Sequence, residues 1–591
     1  MKDIMVFDFE TSDNNKHTCK LDRVCFSLGP STPRYKVGVY DLNFRPDKPD
    51  RKVYDKFIRG MADPNVVKVA HNMSFDLYIV MYRMNLNVAG ELHDTRIIAS
   101  HYRNDIPTYG LKALAWTYLG DLHKPLMALH VQNDDDNSGM NMCEHRDELV
   151  HDYCVHDVII TGQLFDMFHP HVKDNYAYTQ DMLLVKELCH MDHKGMCIDL
   201  KLCKKMRKTL RCRVTRNTHI AQKDLGVDGS PAGDALRDRL EDLGVTERTT
   251  KGFIKASKNV MEKHKQDKAV GAVLKVKQDQ KVLSTYISNM MATAVIPAPP
   301  VGEDKGILHI NLIQSASATR RFRSKGFYGD NGVKTKGNSQ SFHRGRGVRD
   351  CVCVPDKYWF LKLDLASIEA RLASHAMAVF LDFDYYCKQY RKDDKFNMYL
   401  HIVNTHTEHT GITKKDPIYT AYKHACLGIQ YGVGVKTFYK TLVTTFKLPY
   451  SFETCCSIYN TIRRKCPEFA MLQGYVSSMI ERDGFVLDDF GARYYIPKEL
   501  CYKGVNAYCQ GCAGNVLKWW WLEVNKKIRE QRSPDYVFNT VHDELDMAIY
   551  RDKHAGERVK MYCDVLKGLD IFELPIIAEP SDLVETWGEA G

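Results

Sequence analysis

Short apolar runs that end in acids recur along this chain. Ile4-Met5-Val6-Phe7-Asp8-Phe9-Glu10 alternates into two carboxylates and predicts a strand whose last acids share one face. Val66-Val67-Lys68-Val69-Ala70 predicts a second short buried strand, and helical periodicity follows over Phe75 to Met84 and Leu149 to Phe168. Residues 1–168 read as one α/β unit. Residues 170–290 keep a helical period under heavy charge, with basic runs such as Lys201 to Arg216 and Lys251 to Lys281 that predict solvated helix faces. Pro297, Pro299 and Pro300 mark a boundary. Beyond it, strands (358–364, 484–497, 536–550) alternate with long helices (366–382, 418–431, 451–482, 505–529), without internal repeats. Residues 325–347, rich in Gly, Lys and Arg and lacking apolar period, predict a mobile basic loop. Of Trp519-Trp520-Trp521, at most two can face one core, which predicts packing rather than stacking on a ligand.

Composition narrows the class. The 591 residues are 44% hydrophobic and 27% charged, ordinary for several globular domains. A formal net charge of +9 suits a polyanionic partner. The N-terminus is too acidic for a signal peptide, and no uncharged apolar run is long enough to span a membrane, so a cytoplasmic, membrane-free protein is expected. Nineteen cysteines without paired spacing predict reduced thiols. Cys509-Gln510-Gly511-Cys512 has no second pair at zinc spacing and reads as helix packing, and Cys455-Cys456 reads as burial.

Two sets of acids carry the candidate chemistry. Asp8 and Glu10 share a strand end; His71-Asn72 and Asp76 follow the next strand; Tyr153 and Asp157 lie one turn apart on a later helix. Asp8, Glu10 and Asp157 are candidates to hold one divalent ion, with Asp8 bridging to a second, and Tyr153 to orient an attacking water. In the second set, Asp364 ends the run Tyr358 to Leu363, while His542-Asp543-Glu544 forms the tip of a hairpin between Tyr536-Val537-Phe538 and Leu545 to Ile549. Adjacent carboxylates repel unless a cation neutralises them, so this set reads either as a solvated turn or as a two-metal phosphoryl-transfer site.

The first set resembles the DEDD exonucleases in their tyrosine form, which implies a ribonuclease-H-like sheet and metal-dependent hydrolysis from a 3′ end by Asp8, Glu10, Asp76, Tyr153 and Asp157. His93-Asp94-Thr95 is similar to that family's later strand end, with Asp94 read as structural. Residues 305–591 resemble the family A (DNA polymerase I-like) DNA polymerases. Asp364-Leu365-Ala366-Ser367-Ile368-Glu369-Ala370-Arg371 is similar to motif A, D-Y-S-Q-I-E-L-R. Lys423 through Gly428 to Tyr431-Gly432 is similar to motif B, and Val541-His542-Asp543-Glu544 to motif C. Thr319-Arg320-Arg321-Phe322-Arg323-Ser324, Asn506 to Gln510-Gly511, and Gly484-Phe485-Val486 to Arg493 are similar to further elements of that family.

The resemblance implies roles. Asp364, the Leu365 backbone carbonyl and Asp543 would hold the metals, with Glu544 assisting. Lys423 would bind the dNTP triphosphate and protonate pyrophosphate; Leu427 and Tyr431 would line the nucleotide site; Glu369 would exclude a ribose 2′-hydroxyl. Arg321, Asn506, Gln510 and His542 would contact primer-template. Two departures stand out: Leu427 replaces the family's aromatic, and Tyr419 its arginine, leaving Lys414, Lys415 or Lys436 as alternative cations.

The expected fold class is α+β multidomain: a ribonuclease-H-like α/β exonuclease domain (1–168), a helical thumb or connector (169–300), palm (301–384), fingers (385–482) and a second palm segment (483–591). The expected function is template-directed DNA synthesis with 3′-5′ proofreading. Two Mg²⁺ ions per site are expected, with Mn²⁺ as the alternative, in a monomer. Primer-template DNA and dNTPs are the expected partners; a processivity factor, helicase or single-strand-binding protein is left open. No 5′-nuclease domain fits before Asp8, a compactness typical of bacteriophage replicases, which points to the host cytoplasm. The competing classes are a single-subunit RNA polymerase, which Glu369 argues against, a nuclease with a DNA-binding C-terminal half, and a purely structural DNA-binding protein.

Overall fold

The computed structural model describes residues 2–31, 38–41, 51–121, 147–297, 301–314, 317–329, 334–335, 338–342, 345 and 347–591. The first sheet has the order β3-β2-β1-β4-β5, with β1 Asp3–Thr11, β2 Leu21–Gly29, β3 Gly38–Asp41, β4 Val66–Ala70 and β5 Leu92–Asp94. β1 is central, antiparallel to β2 and parallel to β4. Met5, Val6 and Phe7 are fully buried beneath the helix Asp147–Val172, because a strand covered on both faces needs apolar residues at successive positions. The register shifts between Glu10 and Thr11, where the pairing skips Asp22 of β2 just beyond the acids.

A second sheet has the order β10-β6-β7-β8-β9: β6 Met196–Asp199, β7 Lys305–Ile313, β8 Arg323–Tyr328, β9 Lys334–Thr335 and β10 Val352–Cys353. The third joins β11 Tyr358–Leu365 to β14 Tyr536–Val541, β15 Glu544–Tyr550 and β16 Ala578–Pro580 in the order β14-β15-β11-β16; β12 Phe485–Leu487 and β13 Arg493–Tyr495 form a separate hairpin. Long helices, among them Ile368–Leu381, Pro417–Gln430 and Gly504–Glu530, complete a continuous core with these strands. Trp520 and Trp521 are buried and Trp519 is only partly so, as helix geometry requires of three consecutive rings. Gly511 packs against Tyr494 so closely that a Cβ would fall 2.3 Å from its ring, which explains the small residue between Cys509 and Cys512.

Four expectations are corrected. Cys25 of β2 and Cys154 of the helix above it form a disulfide across a Cα separation of 6.1 Å, so these two thiols are not reduced; sheet and helix bring together residues 129 apart in sequence. Residues 325–347 are not wholly a loop: β8 runs to Tyr328 and pairs with β9, with Phe327 buried and Gly326 at a φ of 94°, and backbone pairing supplies the order that side-chain period does not. The remaining positions of that stretch lie partly outside the described residues. The helix expected over 451–482 is two, Phe452–Lys465 and Glu468–Asp483, because Pro467 has no amide hydrogen to continue the first. The pattern over Phe75 to Met84 is one α-turn, Ser74–Tyr78, followed by a π-turn, Ile79–Arg83.

The exonuclease-like and C-terminal halves are joined by buried polar contacts. Asp181, on the helix Tyr176–Lys194, forms an ion pair with Lys518 Nζ at 2.7 Å and is hydrogen-bonded with His101 Nε2 at 2.8 Å. Arg320, at a left-handed φ of 56°, donates to the Ser100 carbonyl at 3.1 Å and the Arg493 carbonyl at 2.9 Å. Asn104 donates to the Ala318 carbonyl at 3.0 Å and accepts from the Tyr495 amide at 2.6 Å.

Arg371 sets the turn after β11. Its guanidinium is buried and donates to the carbonyls of Ala366 at 2.9 Å and Pro575 at 2.7 Å, and to that of Asp394. Replacing it with Ala leaves these carbonyls unpaired, and the expected loss is about 3 kcal/mol of stability. Chemical denaturation of R371A against the parent protein measures it; an unchanged midpoint would refute the assignment.

Candidate active sites

β1, the turn after β4 and the helix Asp147–Val172 bring the N-terminal acids into one cavity of about 380 Å³. Carboxylate oxygens of Asp8, Glu10 and Asp157 lie within 4.8 Å of one another. Asp76 joins them from the helix Ser74–Tyr78, where its carboxylate accepts from the Phe9 amide at 3.2 Å. Burial and the neighbouring Asp157 charge push Asp8 up to about 7, and burial with the Asp8 charge holds Glu10 and Asp76 well above the usual carboxylate range. Tyr153 lines the same cavity, and burial raises its phenol.

Lys112 is a member of this site that the sequence does not announce. From a short helix, Leu111–Leu114, it pairs with Asp157, and its ammonium stands 4.4 Å from the centre of the Tyr153 ring. Nothing in the spacing of Gly110-Leu111-Lys112 links it to acids elsewhere. Asp94 is structural here: it caps the helix Thr95–Tyr102 and accepts from the amides of Asn72 and Met73, both at 2.9 Å.

In the C-terminal half, β11 pairs with β15 so that Asp364 stands opposite Glu544. Val541 pairs with Glu544 across the hairpin, leaving His542-Asp543 as its two-residue tip. The Leu365 amide donates to the Asp543 carbonyl at 3.1 Å and closes tip and strand end together. Burial, followed by the Asp543 and Glu544 charges, raises Asp364 to about 7. Glu544 is buried behind this pair. It accepts from Trp587 Nε1 at 3.1 Å and stands 4.0 Å from Arg349, whose guanidinium in turn covers the Trp587 ring at 4.0 Å. Asp364 and Asp543 are therefore the acids that face the open side, with Glu544 held from the rear; the Trp587 and Arg349 contributions carry no sequence signal.

The helix Pro417–Gln430 presents Lys423 and, just past its end, Tyr431 beside the first turn of Ile368–Leu381, which carries Glu369. Lys423 Nζ stands 5.9 Å from the centre of the Tyr399 ring. Burial raises Tyr399 and Tyr431, with Glu369 adding to both. Among the described residues both hydroxyls are buried without a hydrogen-bond partner, as is Arg321 Nε, so polar groups are held in reserve around Glu369. Leu427 is partly buried. Gly432, at a φ of 69°, approaches Tyr502 so closely that a Cβ would lie 2.9 Å from the tyrosine's own. Gln510 donates to Asn506 Oδ1 at 2.8 Å along the helix Gly504–Glu530, and His542 is exposed. Tyr419 is buried beside Asn397, with which it exchanges long hydrogen bonds of 3.4 and 3.5 Å, whereas Lys414, Lys415 and Lys436 are exposed.

The donor sets fit hard divalent cations. Glu10 Oε1 is buried with no hydrogen-bond partner among the described residues, and the surrounding ligands are all carboxylate oxygens. A second grouping, His17, Asp192 and His309, is different: Lys16 Nζ already sits 2.7 Å from Asp192 Oδ2 and supplies its countercharge.

A five-stranded α/β sheet bearing clustered acids is thus followed by a four-stranded sheet with its own acid pair. Family models agree: DNA polymerase family A matches residues 202–579, and a 3′-5′ exonuclease matches residues 3–173. The chain belongs to DNA polymerase family A. It is 20% identical to DNA polymerase I of Pseudomonas aeruginosa over 627 residues, covering 100% of this chain and 64% of that protein. It is 24% identical to DNA polymerase I of Chloroflexus aurantiacus over 515 residues, covering 82% and 51%. The chain thus spans half to nearly two thirds of the length of these curated relatives. Its fold is similar to the POL domain of Pol1 from M. smegmatis in complex with DNA primer-template and dNTP, with a TM-score of 0.76 at 16% identity, covering 100% of this chain and 96% of that one. Among the described residues no helix is long and apolar enough to cross a membrane.

The raised acids have a consequence for pH. Asp8 and Asp364 hold protons up to about 7 when folded but release them near the ordinary 3.8 when unfolded. Between those values the folded state binds more protons, so without divalent ions stability falls as pH rises through that window. A divalent ion such as Mg²⁺, taken up by the deprotonated acids as their donor set implies, is therefore expected to raise Tm more at about pH 8 than at about pH 6. Thermal melts in EDTA and in Mg²⁺ at both pH values check this; an equal Mg²⁺ increment at both would contradict it.

Proposed function

We propose that the protein is a template-directed DNA polymerase that extends a primer 3′-hydroxyl with dNTPs and removes mispaired ends with its own 3′-5′ exonuclease. The observation that carries this reading is the opposition of Asp364 and the Asp543 tip across paired strands, with Glu369 acting on Tyr431 and Lys423 standing over the Tyr399 ring. The separate Asp8, Glu10, Asp76 and Asp157 cluster supports the second activity.

On this reading Asp364, the Leu365 carbonyl and Asp543 would hold two divalent ions, Mg²⁺ with Mn²⁺ as the alternative, and Asp8, Glu10, Asp76 and Asp157 would hold the other pair; when bound, such ions would lower the pKa of an attacking hydroxyl or water and offset charge on the leaving group. Glu544 fixes the hairpin tip through its buried contacts with Trp587 and Arg349. Lys423 grips the triphosphate and donates a proton to departing pyrophosphate. Glu369 occupies the space a ribose 2′-hydroxyl would need, which selects dNTPs. Arg321, Asn506, Gln510 and His542 contact the primer-template from the minor-groove side, where acceptors lie alike on every pair. In the other site Tyr153 orients the attacking water. The enzyme acts as a monomer in the cytoplasm.

Primer extension and 3′ degradation by the purified protein with Mg²⁺ test both halves. Asp543→Ala is expected to cut extension on the order of a thousandfold and to spare degradation of single strands. Asp8→Ala should do the reverse. Extension that survives D543A would remove the polymerase assignment, and unprimed synthesis from rNTPs would favour an RNA polymerase instead.

A further inference from the structure

Lys112 is the one lysine or arginine among the described residues that line the N-terminal acid cavity, where it meets five carboxylic acids. Burial holds His71, the other basic side chain there, down to about 3, so it stays neutral. The Lys112 charge reaches beyond its direct partner Asp157: it draws Asp8 and Glu10 down against the burial that raises them. Among the described residues, this ammonium is therefore the cavity's built-in countercharge.

Its position conflicts with that of a divalent ion. Asp157 is one of the three acids whose carboxylate oxygens lie within 4.8 Å of one another. An ammonium and a divalent ion repel each other strongly in so buried a place, so the carboxylate serves one or the other. The two partners differ in freedom. The Asp157 side chain is 7% exposed and fixed on the helix Asp147–Val172, whereas that of Lys112 is 27% exposed and carries its ammonium on a flexible four-carbon stem. The lysine can leave; the acid cannot follow. A second seat is close by, because Lys112 Nζ already stands 4.4 Å from the centre of the Tyr153 ring in the same cavity.

We propose that Lys112 is a catalytic residue of the 3′-5′ exonuclease with two places: on Asp157 it stands in for the divalent ion in the metal-free protein, and once that place is taken it moves to a non-bridging oxygen of the scissile phosphate. The inference rests on the two-activity reading above. In the hydrolysis the oxygen of water bonds to phosphorus, the bond from phosphorus to the 3′-oxygen of the preceding nucleotide breaks, and a proton from the water ends on that oxygen. Negative charge gathers on the non-bridging oxygens as the new bond forms, so an ammonium beside them stabilises the transition state more than the ground state. The competing role is a tether that only ties the helix Leu111–Leu114 to Asp147–Val172.

Lys112→Met keeps the apolar stem and removes the charge, and Lys112→Arg keeps the charge. Thermal melts at about pH 8 separate the two roles without turnover. In EDTA, K112M is expected to melt about 3 °C below the parent protein, because the crowded acids have lost their countercharge. In Mg²⁺ the two should melt together, because Lys112 no longer holds Asp157 there. Degradation of a single-stranded oligonucleotide in Mg²⁺ supplies the second readout: K112M should lose about a hundredfold in kcat with KM within about threefold, and K112R should stay within about tenfold of the parent. An equal loss of Tm in EDTA and in Mg²⁺ would make Lys112 a tether and overturn the proposal, as would degradation by K112M at the parent's rate. If the parent protein degraded no strand, the exonuclease reading itself would fail, while the melts would still decide whether Lys112 stands in for the ion.

Discussion

Like charge crowded at the ends of strands is the constraint around which this molecule is arranged. Asp8, Glu10 and Asp157 stand within one coordination sphere's reach, and Asp364 faces Asp543. Burial, with like charge beside it, holds Asp8, Glu10 and Asp364 above the usual carboxylate range, and those shifts express the cost. The fold sustains the crowding because the acids grow out of strands whose preceding residues are fully buried: Met5, Val6 and Phe7 before Asp8, and Phe360, Leu361 and Leu363 before Asp364. Apolar burial of these strands, at roughly 25 cal/mol per Å², outweighs the repulsion at their tips. Lys112 eases the first cluster through Asp157, and Arg349 stands behind the second.

Two crowded sites are useful to one substrate only if their separation is fixed, and the seam between the halves supplies that. Lys518, Asp181 and His101 form a buried chain from the helix Gly504–Glu530 to the exonuclease-like unit. Burial holds His101 down to about 4, so near neutrality it donates as a neutral imidazole and Lys518 carries the single countercharge to Asp181. A buried pair of this kind adds little net stability over apolar packing, yet losing one partner is severe because the other charge remains in the interior. Its directional hydrogen bonds, with those of Arg320 and Asn104, fix orientation where apolar packing alone would permit sliding.

The legible part of the sequence is the part where chemistry dictates residue type. Acids at strand ends, a lysine and tyrosine eight apart on a helix, and a two-residue hairpin tip are each visible from pattern, and the structure gathers the N-terminal acids in one cavity and sets Asp364 beside the hairpin tip. The order of elements in the C-terminal half was equally plain. Less visible were groups whose role depends on a distant partner. Lys112 comes from a four-residue helix, Trp587 and Arg349 meet Glu544 from distant parts of the chain, and Cys25 finds Cys154 only once sheet and helix have packed. β9 escaped notice because a two-residue strand has no period to detect. Pro467 did carry a signal: an imino acid inside a long helical pattern argues for the break that is present.

Backbone conformation explains how the polymerase-side acids are brought face to face. Ser367, three residues after Asp364, has a φ of 51°, and His542, immediately before Asp543, has a φ of 60°. Neither is glycine, so each costs on the order of 1 kcal/mol. Together they let the chain turn sharply at both strand ends, so that β11 passes into its helix while the Asp543 carbonyl reaches the Leu365 amide. Arg371 holds the first turn from below, and Glu544, bonded to Trp587, holds the second. The strain is thus offset by buried hydrogen bonds that do not themselves face the cavity. Asp364 and Asp543 are held in place before any cation or nucleotide arrives, and the energy of binding need not be spent on assembling them.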